Sequence, residues 1–390
     1  MSVLVNHSEL SENQKVIKGL DIKIPRPFFF YILRYNRLFQ NIPVQENMLK
    51  KISTLKFFVV LTHYYFIAFI IWLILSSIYG DRWAWLFLLN SFSVYFFLLL
   101  PLPLILAIIT HKRSLLIGVL AIFIVGLFLY GNLFLPSLSK NKRAEFPITV
   151  MTFNTLGFNT EPDGVITSIQ ESGAEIVAFQ ELNSEISAAI EDELIDEYPY
   201  QLLSPKTGVT GMGIISQYPL EQREFKLGGY WVGDPQILKV DWQGKKITVI
   251  NFHAIPPGSI LDFESLSRTT EERNRQIKEL VSFVKDREEP VIVLGDLNVT
   301  EQNDAYKILN TDLQDAWKEK GWGLGHTFPG AVSPGSSRPA MAGIPLTPKW
   351  LIRLDYVFCS AQWQVESASF GQWDGVSDHR PVKATINLRH

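Results

Sequence analysis

Cysteine is all but missing from this 390-residue chain, which holds Cys359 alone. A single thiol supports neither an internal disulfide framework nor a cysteine-based zinc site. Following Tyr356-Val357-Phe358, it reads as a buried strand residue. No apolar run lies beside Met1, so the amino terminus does not read as a signal peptide. Internal repeats and low-complexity tracts are absent too, which sets aside repeat architectures. Positive charge is short in one half only. Residues 144–390 hold 21 Lys and Arg against 34 Asp and Glu, a net of −13, while residues 1–143 hold 15 against 5, a net of +10. The overall −3 conceals two opposite halves. Nucleic-acid binders normally carry a basic footprint, because phosphate neutralisation supplies most of their affinity. The acidic half lacks one.

Apolar residues are plentiful instead. They make up 47% of the chain, and the mean hydropathy of +0.11 is high for a soluble protein. Three runs account for it, at residues 57–79, 83–109 and 114–135. Each reaches the roughly 20 residues needed to cross a hydrocarbon core of about 30 Å. Trp83 and Trp85 open the second run, where interfacial aromatics belong, and Pro101 and Pro103 are expected to kink it. His63 in the first run reads as a helix-contact residue. Lys50, Lys51 and Lys56 precede the first run, and Lys112 and Arg113 fill the turn between the second and third. The positive-inside rule places both in the cytoplasm, so three crossings put residues 144–390 outside. Lys140, Lys142 and Arg143 pull the other way. The expected layout is a polar leader at 1–54, three transmembrane helices within 55–137, a linker at 138–146 and one domain at 147–390. Within the leader, residues 25–31 with Arg34 and Arg37 suit either an amphipathic surface segment or a loosely packed one.

From residue 146 the pattern turns to strands alternating with helices, which indicates an α/β domain. Its centre is Val291-Ile292-Val293-Leu294-Gly295-Asp296-Leu297-Asn298. Four β-branched or leucine residues in a row read as a strand buried on both faces. Gly295 is expected to let the backbone turn. Asp296 and Asn298, two apart, then point the same way in an extended segment. Other strands end alike. Asn154, Glu181, His253, Asp355, Asp378 and His379 all lie at or just past an apolar run. Each has an ordinary reading: Glu181 as a helix cap, His253 as a loop histidine, Ser377-Asp378-His379-Arg380-Pro381 as a turn. Six or more such ends, with nothing else reactive in the chain, are hard to ascribe to capping.

These residues carry a resemblance. Thr152-Phe153-Asn154, Phe179-Gln180-Glu181, Asn251-Phe252-His253, Gly295-Asp296-Leu297-Asn298, Leu354-Asp355-Tyr356-Val357 and Ser377-Asp378-His379-Arg380-Pro381 resemble, in order, the motifs of the endonuclease/exonuclease/phosphatase superfamily. The resemblance covers about residues 146–390 and leaves the apolar runs outside it. It implies a DNase I-like four-layered α/β sandwich, two packed mixed sheets flanked by helices, here preceded by the three transmembrane helices. It also implies a divalent metal, Mg²⁺ or Mn²⁺ in its place, and direct attack of water on a phosphate ester. Glu181 then corresponds to the principal metal ligand, with Asn154 beside it and Asp378 contacting water or a second metal. Asp296 corresponds to the group that accepts the proton of the attacking water, and Asn298 to one that orients water or phosphate. His379 corresponds to the histidine on the phosphoryl oxygen, held and kept charged by Asp355, and His253 to a leaving-group acid or phosphate clamp.

The acidic domain disfavours nucleic acid, and a membrane anchor favours a lipid-borne phosphate or phosphodiester. A membrane-tethered nuclease is one competing expectation. A catalytically dead phosphate-binding module is another, disfavoured because each expected position holds the right residue type. The stretch 322–350, rich in Gly, Pro and apolar side chains such as Met341 and Trp350, either dips into the interface or is a plain long loop. Tyr230-Trp231-Val232 either joins it or packs.

Overall fold

The computed structural model describes residues 43–135, 147–222, 226–259 and 261–389. The leader before residue 43 and the basic link at 140–143 lie outside them. The chain divides into two compact units, 1–61 and 62–390. Two helices, Ser53–Tyr79 and Arg113–Leu133, are long and apolar enough to cross a membrane. Ala84–Ser91 and Val94–Thr110 together make a third candidate, bent by 53°. The bend falls at Phe92-Ser93, not at the prolines. Pro101 and Pro103 instead sit in the first turn of helix Pro101–Thr110, where a proline's missing N–H would have had no partner in any case.

Two six-stranded sheets follow. Their strands are β1 (Pro147–Asn154), β2 (Ile176–Gln180), β3 (Tyr200–Ser204), β4 (Met212–Ser216), β5 (Leu220–Gln222), β6 (Gln236–Trp242), β7 (Lys245–His253), β8 (Val291–Asp296) and β9 (Gln314–Asp315), a small hairpin of β10 (Ala340–Met341) and β11 (Ile344–Pro345), then β12 (Asp355–Cys359), β13 (Trp363–Phe370) and β14 (Val382–Leu388). One sheet runs β13-β14-β1-β2-β4-β3 and the other β5-β6-β7-β8-β12-β9. Both are mixed, since β1–β2 and β7–β8 pair in parallel and their other pairs are antiparallel.

Period-two alternation builds the layers. In β1, Ile148 and Val150 face the other sheet, while Met151 and Phe153 face helices Pro162–Ser172 and Ser184–Glu193. In β8, Ile292 and Leu294 fill the space between the sheets, and Val291 and Val293 point to helices Phe263–Lys285 and Asp304–Asp312. The central strand is buried on both faces, as its unbroken apolar run implies. Cys359, fully buried in the inter-sheet core, has its thiol pushed up to about 12 by burial.

Gly295 has a different job from the turn expected of it. It lies inside β8, and a Cβ there would come 2.0 Å from the Phe252 carbonyl of β7. Close approach of two strands is what requires glycine. The turn comes later, at Asn298, whose φ is 56°.

The apolar amino-terminal segment packs onto this sandwich. Ala84 and Phe87 join the core on the outer side of the β8 sheet, and Tyr130 and Leu133 join the inter-sheet core. A buried polar network seals the first contact. Asp81 N donates to Asp304 Oδ2 (2.8 Å), and Asp304 N donates back to Asp81 Oδ2 (2.7 Å). Asn90 Nδ2 and Asn303 Nδ2 both donate to Asp81 Oδ1, at 2.8 and 3.1 Å. Trp231 and Val232 are buried, Trp231 edge-on to Phe252, so of the two options for that triplet they pack.

Candidate active site

Strand register assembles the site. Asp296, last in β8, stands level with His253, last in β7, and with Asp355, first in the antiparallel β12. Three adjacent strands therefore present an imidazole and two carboxylates side by side. The facing sheet supplies the rest. Asn154 ends β1 beside Gln180 of β2, and Glu181 follows with a φ of 56°. A non-glycine residue persists in that left-handed region only where its surroundings hold it. Asn154 Nδ2 and Gly157 N both donate to the Glu181 carboxylate, at 3.1 and 3.0 Å.

Asn154 joins the two halves, because its Nδ2 also donates to Asp296 Oδ2 (3.2 Å). Asp296 Oδ1 accepts from Asn298 N (2.8 Å), and Asn298 Nδ2 donates to Ala254 O (3.0 Å). The Nε2 atoms of His253 and His379 lie 3.6 and 3.8 Å from Asp296 Oδ2. His379 Nδ1 bonds Asp355 Oδ2 at 2.8 Å. Ser377 Oγ donates to Asn154 O (2.8 Å) and accepts from His379 N (3.0 Å), which pins the last motif to the first. Asp378 Oδ2 accepts from Ser337 N (2.8 Å). All eight residues singled out in the sequence thus meet in one place.

Burial sets their charges. It pushes the Asp296 carboxyl up to about 6, with Asp355 adding to the rise and the two histidines opposing it. It raises Glu181 as well, against the hydrogen bonds from Gly157 and Asn154. Burial also acts against a charged His379, but Asp355 and Asp296 outweigh it and hold that imidazole well above its usual range. No such excess helps His253, which burial keeps low and therefore neutral. One imidazolium, one neutral imidazole and a carboxylate poised near neutrality are the components of acid–base chemistry.

A cavity of about 370 Å³ opens onto Glu181, His253, Asp296, Asn298, Asp378 and His379. Asn154 and Asp355 stand behind them. No Lys or Arg appears among the described residues lining it; the counter-charges to Asp296 are His379 in the lining and the buried Arg273 guanidinium outside it. That donor set fits a hard divalent cation, with oxygens from Glu181 and Asp378; Asn154, expected as a ligand beside Glu181, instead turns its Nδ2 to that carboxylate while its Oδ1 accepts from Leu156 N (3.1 Å). Asp296, Asp355 and His379 also present atoms within 4.8 Å of one another. The 2.8 Å bond between His379 and Asp355 already occupies one such atom of each, so this trio reads as an oriented histidine.

Several contributors were not singled out in the sequence. Arg273 Nε donates to Ile255 O (2.8 Å) and Ile255 N donates to Gln276 Oε1 (3.1 Å), clamping the loop after His253. Their signal was an Arg and a Gln three apart on the inward face of a helix otherwise polar outside. Gln180 Nε2 donates to Asn251 Oδ1 (2.7 Å), a buried bond between the sheets beneath the site. Phe87, Leu88, Ser91 and Phe92 line the cavity from the amino-terminal segment. Asn90, Ser91 and Ser93, polar in mid-run, were a sign that these residues face protein.

The chain matches the model of the Endonuclease/Exonuclease/phosphatase family over residues 151–379. No curated protein matches it. Among solved structures, it is similar to Danio rerio TDP2 complexed with single-strand DNA product, at 16% identity and a TM-score of 0.49, over 63% of this chain and all of that one. A family protein from Bacteroides thetaiotaomicron gives 17% and 0.47 over 63% of this chain and 99% of its own. One from Leptotrichia buccalis gives 18% and 0.48 over 62% and 100%. At such identities and TM-scores none of them assigns a role to this chain. The family match spans more than half of the sequence and takes in all eight site residues, and the chain belongs to the endonuclease/exonuclease/phosphatase family.

Proposed function

We propose that this protein is a membrane-anchored, metal-dependent hydrolase of phosphate esters, acting by direct attack of water on a lipid-borne phosphate or phosphodiester. The observation that carries the hydrolase reading is the meeting of Asp296, His253 and His379 at one cavity beside Glu181. Asp296 Oδ2 takes the proton of the attacking water. His379, charged and oriented by Asp355, donates from Nε2 to a phosphoryl oxygen as negative charge grows there. His253 Nε2, on the other side of the same carboxylate oxygen, faces the leaving group or the phosphate. Asn298 and Asn154 hold Asp296 in place. A cation at Glu181 and Asp378, Mg²⁺ or Mn²⁺, would neutralise the phosphate's charge when bound, with Asn154 holding the Glu181 carboxylate.

The lipid-borne substrate is favoured by the apolar helices and by the absence of Lys and Arg from the described cavity lining. A nucleic-acid substrate would ask for cations along the cleft. With the Lys112-Arg113 turn in the cytoplasm, the catalytic domain faces outward. The test is a panel of lipid phosphates, phosphodiesters and nucleic acids, offered to the full chain with Mg²⁺ and with chelator. Lipid-ester cleavage abolished by chelator is expected. Cleavage of nucleic acid alone would refute the lipid reading, and binding without any turnover would refute the hydrolase.

A further inference from the structure

Helix Ala84–Ser91 belongs by sequence to an apolar run, yet it forms a wall of the catalytic cavity. Phe87, Leu88, Ser91 and Phe92 fall at i, i+1, i+4 and i+5, which brings them to one side of the helix. Phe87 is buried, with the Arg273 guanidinium 5.5 Å from its ring centre. Leu88 is half-buried and Phe92 is 41% exposed, so these two are the side chains left to meet a ligand. Phe328, Ile352 and Leu354 add apolar surface elsewhere in the same lining. The cavity is therefore two-natured: a charged end at Asp296 and His379, and an apolar wall supplied by the amino-terminal segment.

Beyond the bend at Phe92-Ser93 the chain runs into Val94–Thr110, where Leu98, Leu102 and Ile105 are exposed. A small polar ester would leave the wall unsatisfied and wet. A phosphate joined to a hydrocarbon chain would use both ends of the cavity at once. The position of the helix is also fixed from behind. Asn303 Nδ2 donates to Phe87 O (3.2 Å) and Thr300 Oγ1 donates to Ser91 O (3.3 Å), and Thr300 itself lines the cavity.

Resting on the hydrolase reading above, we propose that the substrate is an amphiphilic phosphate ester whose hydrocarbon chain lies against Leu88 and Phe92, making them specificity-determining residues. The apolar segment is then part of the catalytic unit as well as an anchor. Burying one methylene is worth a factor of about four in binding. Each methylene that reaches the wall is expected to raise kcat/KM by about that factor until the wall is covered.

The test uses the full chain in detergent with Mg²⁺, and water-soluble alkyl phosphates and 4-nitrophenyl alkyl phosphodiesters from ethyl to octyl, kept below their aggregation limits. A rising kcat/KM with chain length is expected. Leu88→Gln and Phe92→Gln are expected to flatten that rise, measured as the octyl-to-ethyl ratio. Phe128→Ser, an 84% exposed position outside the cavity lining, is expected to keep it. Hydrolysis without chain-length dependence, or a slope unchanged in both Gln variants, would overturn the proposal and leave the hydrolase standing. No hydrolysis of any member would bring down the hydrolase reading itself. If the variants fail to fold, an alkyl phosphate with a terminal diazirine decides on the unaltered protein. Crosslinks within residues 84–92 are expected, and crosslinks elsewhere would overturn the assignment.

Discussion

Asn303→Ala is expected to loosen the docking of the amino-terminal segment, at a cost of about 2.5–6 kcal/mol. Asn303 is fully buried and has five hydrogen bonds. Counting all five at full value would overstate the loss. The Thr300 hydroxyl keeps Ser91 O, the Ser91 hydroxyl keeps Phe87 O, and that same bond keeps the Phe87 carbonyl satisfied. Asp81 retains Asn90 and the Asp304 amide. What is lost outright is the partner of the Thr300 N–H, at about 1–3 kcal/mol for an orphaned buried donor, and a charge-assisted bond to Asp81 at about 1.5–3. Thermal unfolding of the full chain in mild detergent, followed by tryptophan fluorescence, measures it. A domain of this size loses about 2–4 °C per kcal/mol, so Tm should fall by roughly 5–24 °C. Asn303→Asp keeps the acceptor but sets a carboxylate 3.1 Å from Asp81, and should cost at least as much. A fall of under 2 °C for both would show that residues 80–91 do not dock on the loop after β8.

Glu181→Gln removes a charge from the oxygen cluster and should raise the metal concentration needed for half-maximal activity at least tenfold, read by titration after chelator treatment; an unchanged titration would take Glu181 out of the metal site. Cys359, buried and with its thiol pushed up to about 12, should resist a thiol reagent in the native protein and react on unfolding, and prompt labelling of the folded chain would mean that the inter-sheet core opens. A reporter fused after His390 should behave as extracytoplasmic, whereas a cytoplasmic signal would reverse the orientation read from Lys112 and Arg113.

The strands that carry the candidate site were legible because a strand's apolar run and its polar end are local features. Residues 291–294 announce a doubly buried strand, although it runs on through Gly295 to end at Asp296. Register between strands is not local. Nothing within 291–298 says that His253 and Asp355 stand level with Asp296, and only the order of motifs hinted at it. The edge strands β3, β5 and β13 carry a weaker sequence signal, since their outward residues blur the alternation, β13 the more so with a register shift between Val365 and Ser367. Gly295 was misread because a glycine needed for close approach looks the same in sequence as one needed for a turn. The role of helix Ala84–Ser91 was hidden for a further reason. A side chain that faces lipid and one that faces an apolar core are chemically alike, and hydropathy cannot separate them. Asn90, Ser91 and Ser93 betrayed the difference, Ser91 through a bond to a residue more than two hundred positions away.

Turnover by Asp296→Asn tests the central claim most directly. The amide keeps the shape of the side chain and an oxygen for the Asn298 N–H, but it cannot take a proton from water. With a soluble phosphate ester that the unaltered chain hydrolyses in Mg²⁺, kcat should fall by at least about a hundredfold with little change in Tm. Near-normal turnover in a well-folded Asp296→Asn protein would contradict it, because the carboxylate on which β7, β8 and β12 converge would then have no part in activating the water.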